Sequence, residues 1–134
     1  MMRDIKHLLG NKKWLIIAAI IYSGLITILF LMPSSDLPRV NLHGGTDKAA
    51  HFLIHFIFVF LWQLYFFRRY NNRFLWRNAF FVLAGSVLYG IIIEVLQGQL
   101  TDSRTPDFYD VLANFGGAVL AVFLFYRVKN SLSP

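Results

Sequence analysis

The chain has 134 residues, enough for one domain, and 57% of them are hydrophobic while only 15% are charged, against about 45–50% and about 25% in soluble domains. A globule of this size has too little interior to bury that apolar excess, which argues against a soluble domain and makes lipid the expected solvent. The absence of cysteine excludes disulfides and thiolate metal sites. The net charge is +6, but the basic residues lie at the ends of apolar runs, a pattern that disfavours nucleic-acid binding.

Four helix-length apolar segments follow one another, approximately at residues 14–32, 49–67, 79–96 and 111–126. The first has no ionisable residue and would reach roughly 28 Å, close to the thickness of a hydrocarbon core. A basic stretch precedes it, as in a signal peptide, but the run is too long and no A-x-A-like site follows, so we interpret it as a membrane helix. No segment alternates as a barrel strand does. The sequence therefore predicts an all-α protein, a four-helix integral membrane bundle forming a single domain over residues 1–134.

The basic residues predict the orientation of this bundle. Ten of them lie before the first segment, between the second and third, and after the fourth, whereas the other two loops hold only Arg39, Lys48 and Arg104. By the positive-inside rule, both termini and the middle loop are cytoplasmic. We expect a multi-pass protein of the plasma (inner) membrane, with the lipid bilayer as its main partner.

Polar residues gather at the opposite, extracytoplasmic face, first at the entry to the second segment. Asp47, His51 and His55 are spaced i, i+4, i+8, which places them on one helical stripe, and Lys48 stands beside them. Asp47 would lie in the first helical turn, where the helix dipole favours a carboxylate. We expect His55, one turn deeper among phenylalanines, to be packed or hydrogen-bonded.

A second polar group ends the third segment, where Glu94 and Gln97 share one face. An unpaired acid at this depth costs several kcal/mol, so Glu94 should face the bundle and find a partner. The candidates are Lys48, His51 and Arg104.

The third polar group begins just before the fourth segment and continues into it. Four of its members fall on one narrow stripe of a helix. These are Asp107, Asp110, Asn114 and Gly117. Thr105 is predicted as the N-cap with Pro106 at the first helical position. A ridge of small residues at Ala113, Gly117 and Ala121 runs beside the polar stripe and suits close helix packing.

The three groups, in this order, resemble the VanZ-like family, which is named for a teicoplanin-resistance protein of glycopeptide-resistance clusters. The matching residues are Asp47, Lys48, His51, Phe52, Glu94, Gln97, Arg104, Asp107, Asp110, Asn114 and Gly117. Ser103 stands where the family pattern has glycine. The resemblance implies an integral membrane protein of the bacterial cell envelope and, in the founding member, lower susceptibility to teicoplanin. It implies no particular reaction.

Two interpretations of the polar residues remain open. They are either a structural network that fixes helix packing, or a site for an anionic envelope lipid or lipid-linked wall precursor. In the second, Lys48, His51 and Arg104 contact the anion while Glu94, Asp107 and Asp110 orient these bases or contact sugar or amine groups. The predicted ligand-binding residues are Asp47, Lys48, His51, Glu94, Gln97, Arg104, Asp107, Asp110 and Asn114.

The chemistry performed at such a site is not fixed by the sequence. Binding or remodelling of the ligand is the first hypothesis, and a membrane enzyme is the second, with His51 and an acid as general acid and base. A transporter would require a homo-oligomer, because the polar residues do not continue to the cytoplasmic side. We expect no cofactor and no metal, since no tight ligand motif accompanies the spacing of His51 and His55.

Overall fold

The computed structural model describes residues 11–32, 45–100 and 107–132, and within these ranges it contains four α-helices and no strand. They are α1 (Lys12–Leu31), α2 (Thr46–Arg69), α3 (Trp76–Leu100) and α4 (Phe108–Val128). Each is long and apolar enough to cross a membrane. The four predicted helices are therefore confirmed.

α2, α3 and α4 extend beyond the apolar segments at both ends, because backbone hydrogen bonding continues through the polar residues there. α2 begins at Thr46, carries Asp47 in its first turn and ends on two arginines, charges that complement the helix dipole at both ends. Asn71 and Asn72 then adopt left-handed φ values of 55° and 60° in the turn to α3. Asparagine tolerates this conformation better than most residues, which allows so short a connection.

Consecutive helices run in opposite directions. Leu15 near the start of α1 packs on Leu64 near the end of α2, and Lys48 at the start of α2 contacts Asp107 at the start of α4. His51 lies close to Glu94, near the end of α3. The first turns of α2 and α4 and the last turns of α3 therefore meet at one end of the bundle, called here the polar end.

α2 contacts all three other helices, and its contact with α4 is the most extensive. Gly117 makes this possible, because a Cβ atom there would overlap the backbone carbonyl oxygen of Phe52. Gly117 and Ala121 of the predicted small-residue ridge are both buried. Asp110 and Asn114 of the polar stripe are buried as well. These residues of the stripe and the ridge thus face the interior, as the sequence predicted, while Asp107 at the start of the stripe is partly exposed.

The outer surface of the bundle is apolar. Large side chains such as Ile20, Leu25 and Phe80 are 56%, 59% and 64% exposed. Soluble monomers rarely expose continuous apolar surface of this extent. Together with the length of the helices, this surface fits a protein surrounded by a lipid bilayer.

Candidate functional site

Six ionisable side chains from three helices meet at the polar end. α2 contributes three of them, α3 one and α4 two: Asp47, Lys48, His51, Glu94, Asp107 and Asp110. Together with Asn114 they form what we call the polar cluster. Most of the residues predicted from the sequence are therefore brought together, whereas Arg104 lies outside the described residues.

Lys48 lies at the mouth of the cluster, with its side chain 40% exposed. Its ammonium donates hydrogen bonds to Asp107 Oδ2 at 2.7 Å and to Asp110 Oδ1 at 3.2 Å. The hydrogen bond from Lys48, aided by one from the backbone N–H of Tyr109, holds the pKa of the Asp107 carboxyl below its usual value. Lys48, one of the three candidate partners of Glu94, therefore pairs with the two aspartates at the start of α4.

The start of α4 also differs from its prediction. Asp107 is the N-cap, and its Oδ1 accepts a hydrogen bond from the backbone N–H of Tyr109 at 2.8 Å. The helix begins at Phe108, so the assignment of Thr105 as the N-cap and Pro106 as the first helical residue is corrected. Aspartate caps as well as threonine. Oδ2 of Asp107 accepts a hydrogen bond from Lys48. This tertiary contact favours Asp107 over Thr105 as the N-cap residue.

His51 is 1% exposed and has different neighbours on its two ring nitrogens. Nδ1 lies 3.1 Å from Oδ1 of Asn114. Because an amide oxygen can only accept, this contact selects the neutral tautomer with the proton on Nδ1 and the lone pair on Nε2. Nε2 faces Oδ2 of Asp110 at 3.9 Å. The ring of Phe30 stacks on the imidazole with centroids 4.6 Å apart and thereby fixes its plane.

Glu94 is buried beside His51, as predicted for an acid facing the bundle. Its Oε2 accepts a hydrogen bond from the backbone N–H of Asp107 at 3.1 Å. Its Oε1 lies 3.8 Å from Nδ1 of His51 and has no hydrogen-bond partner among the described residues. Gln97, on the same face of α3, is directed to α1 and donates to the backbone oxygen of Phe30 at 2.7 Å.

A second histidine lies one turn below the cluster. Nδ1 of His55 is 2.9 Å from Oγ of Ser86, which confirms the prediction that His55 is hydrogen-bonded. A Cβ atom on Gly90 would lie 2.9 Å from Nδ2 of Asn114 and 3.2 Å from Cε1 of His55. Glycine at this position therefore leaves room for both side chains.

Sequence reasoning missed three residues that shape the site: Phe30, Ser86 and Gly90. In the sequence Phe30 resembles any lipid-facing residue of α1, because nothing in the apolar run marks the face that covers His51. Ser86 and Gly90 did carry a signal, since a hydroxyl and a glycine spaced i, i+4 interrupt an otherwise apolar helix. Their partners on α2 and α4 become evident only after packing.

The cluster also contains atoms suited to a cation. Asp47, His51 and Asp110 each offer one ligand atom, and these three atoms all lie within 4.8 Å of one another. Among the described residues of the cluster, the carboxyl groups outnumber the single lysine. This end of the bundle is therefore rich in oxygen ligands.

Comparison with known proteins gives a match at the level of the family. A family model described as VanZ/LLP1 matches residues 10–129, nearly the whole chain and all of the polar cluster. No curated protein and no solved structure matches significantly.

Proposed function

The chain belongs to the VanZ/LLP1 family, and we propose that it is a plasma-membrane protein whose polar end faces the cell exterior and binds or modifies the anionic head group of an envelope lipid or wall precursor. Both termini are cytoplasmic in this proposal. The orientation rests on the basic residues near the opposite end, including Arg68, Arg69, Arg73 and Arg77, which the positive-inside rule assigns to the cytoplasm.

The position of Lys48 carries the proposal for an anionic ligand. An ammonium has three N–H donors, and Asp107 and Asp110 accept two hydrogen bonds from Lys48. The side chain is 40% exposed, so the third donor is available for an oxygen of a head group. The two carboxylates hold the cation in place, which is the orienting role that the sequence predicted for them.

Aromatic residues beside Lys48 fit contact with lipid. Phe108 is 70% exposed and Tyr109 65% exposed in the first turn of α4, and the ring of Tyr109 lies 5.9 Å from the ammonium of Lys48. Aromatic side chains are enriched at membrane interfaces, where they contact acyl chains and head groups together. The acyl chains of a lipid whose head group is bound at Lys48 would therefore lie beside the exposed rings of Phe108 and Tyr109.

The test is the thermal stabilisation of the purified protein in nonionic detergent by phosphatidylglycerol, with phosphatidylcholine as the zwitterionic control. A ligand that binds the folded state raises the unfolding midpoint. We expect phosphatidylglycerol to stabilise the parent more than phosphatidylcholine, and Lys48→Gln to remove the difference.

The matched control is Lys13→Gln, which deletes an exposed lysine at the opposite end. It should keep the difference between the two lipids. Equal losses in Lys48→Gln and Lys13→Gln would mean general charge attraction and would refute a head-group site at Lys48.

The enzyme hypothesis is favoured by one observation, the position of Nε2 of His51, which faces Oδ2 of Asp110 at 3.9 Å. A nitrogen with a free lone pair in a cluster of acids is suited to act as a general base. Release of phosphate from lipid-linked diphosphates by the parent, lost in His51→Asn, would support this function. A role in teicoplanin resistance follows from the family resemblance alone, and the susceptibility of a host that expresses the parent or Lys48→Gln would test it.

A further inference from the structure

We propose that the polar end binds a divalent transition-metal ion through a carboxylate oxygen of Asp47, Nε2 of His51 and Oδ2 of Asp110. This replaces the expectation of no metal, which rested on the absence of a ligand motif along the chain. Asp47 and His51 share one stripe of α2, whereas Asp110 comes from α4, so the complete ligand set is not a motif along the chain. The proposal concerns the same end of the bundle as the proposed function but does not depend on a lipid ligand.

The spacing of the ligand atoms suits a single ion. Metal–ligand bonds of about 2.0–2.2 Å place the donor atoms of one ion roughly 3–4.4 Å apart. Nε2 of His51 and Oδ2 of Asp110 are separated by 3.9 Å, and one ligand atom from each of Asp47, His51 and Asp110 lies within 4.8 Å of the other two. Asp47 is exposed and can close the remaining distance by a change of rotamer.

The surrounding hydrogen bonds orient the ligands. Metal-binding histidines usually donate the N–H of the other ring nitrogen to an oxygen acceptor, which fixes the tautomer. Nδ1 of His51 has this arrangement with Oδ1 of Asn114. Lys48 occupies Oδ1 of Asp110, and Oδ2 therefore remains for a metal ion.

Glu94 supplies an independent indication that a cation belongs here. Its side chain is 6% exposed, and Oε1 has no hydrogen-bond partner among the described residues. This oxygen lies 3.8 Å from Nδ1 of His51, the ring nitrogen that is not the proposed ligand. A buried carboxylate oxygen without a partner is costly. A cation beside His51, reached directly or through a bound water, would offset this cost.

The ligand types indicate the class of ion. Imidazole nitrogen with two carboxylates suits Zn²⁺ or Mn²⁺ better than Mg²⁺, which prefers oxygen ligands alone. Three protein ligands leave coordination positions open. If the proposed function is correct, these positions can accept a phosphate oxygen of the head group.

The experiment is titration of the chelator-treated protein with Zn²⁺ by calorimetry, and with Mn²⁺ by electron paramagnetic resonance, in a phosphate-free nonionic detergent without lipid. We expect one ion per chain at micromolar Zn²⁺. Asp47→Asn, Asp110→Asn and His51→Asn should each weaken binding at least about tenfold. Asparagine at position 51 can keep the hydrogen bond to Asn114 while the ligand nitrogen is lost.

The control is Asp107→Asn, the same change at a carboxylate of the cluster that is not a ligand. Asparagine also caps helices well, so this variant should fold and bind the ion within about threefold of the parent. A parent that binds no ion below 1 mM, or ligand variants that bind as well as Asp107→Asn, would overturn the proposal. Because lipid is absent, failure here leaves the proposed head-group binding untouched.

Discussion

Replacing Gly117 with alanine should separate α2 from α4 and destabilise the protein strongly. The added Cβ would overlap the carbonyl oxygen of Phe52, a backbone atom that cannot move without its helix. Overpacking of this kind costs about 1–3 kcal/mol. The hydrogen bond between His51 and Asn114 joins the same two helices at 3.1 Å, and its loss adds about 1 kcal/mol.

The total of about 2–4 kcal/mol corresponds to a fall in the unfolding midpoint of roughly 8–16 °C for a chain of this size. The assay is thermal unfolding in detergent followed by tryptophan fluorescence. Gly24→Ala and Gly85→Ala are the matched controls, because a Cβ atom at either position has nothing within 4 Å. Alanine is the better helix former, so these variants should unfold at or slightly above the midpoint of the parent.

A fall of less than about 2 °C in Gly117→Ala would refute the reasoning, since about half a kcal/mol cannot separate two packed helices. Equal falls in all three variants would also refute it, because they would indicate a general effect of alanine in these helices and not a close contact between α2 and α4.

Two further predictions concern the buried polar residues. Glu94→Gln keeps an oxygen acceptor for the backbone N–H of Asp107 and removes the buried ionisable group, so the metal-free variant should unfold at or above the parent's midpoint. Glu94→Ala should lose about 1–3 kcal/mol. A loss of many degrees in Glu94→Gln would instead favour the structural network. Ser86→Ala leaves Nδ1 of His55 unpaired and should also cost about 1–3 kcal/mol. Ser131→Ala, at an exposed serine beyond the end of α4, should cost little, and equal midpoints for the two serine variants would contradict this prediction.

The site was predictable as a set of residues but not as a set of contacts. Spacing alone placed Asp47 in the first turn of α2 and aligned Asp110, Asn114 and Gly117, because these relations follow from helical periodicity. The pairing of Lys48 with α4, and the choice of Asp107 as the N-cap, depended on which helix ends meet.

The sequence by itself determined that the chain has four helices long and apolar enough to cross a membrane, because uninterrupted apolar runs of this length satisfy their backbone hydrogen bonds as helices. It also determined which faces of α2, α3 and α4 point inward, because polar groups avoid lipid. Only the tertiary structure decided that Nε2 of His51 faces Asp110, that Phe30 covers the imidazole, and that Glu94 keeps one oxygen unpaired. These relations join residues on different helices, and the relative positions of the helices follow from close packing at Gly117 and Gly90, which no periodicity along the chain records.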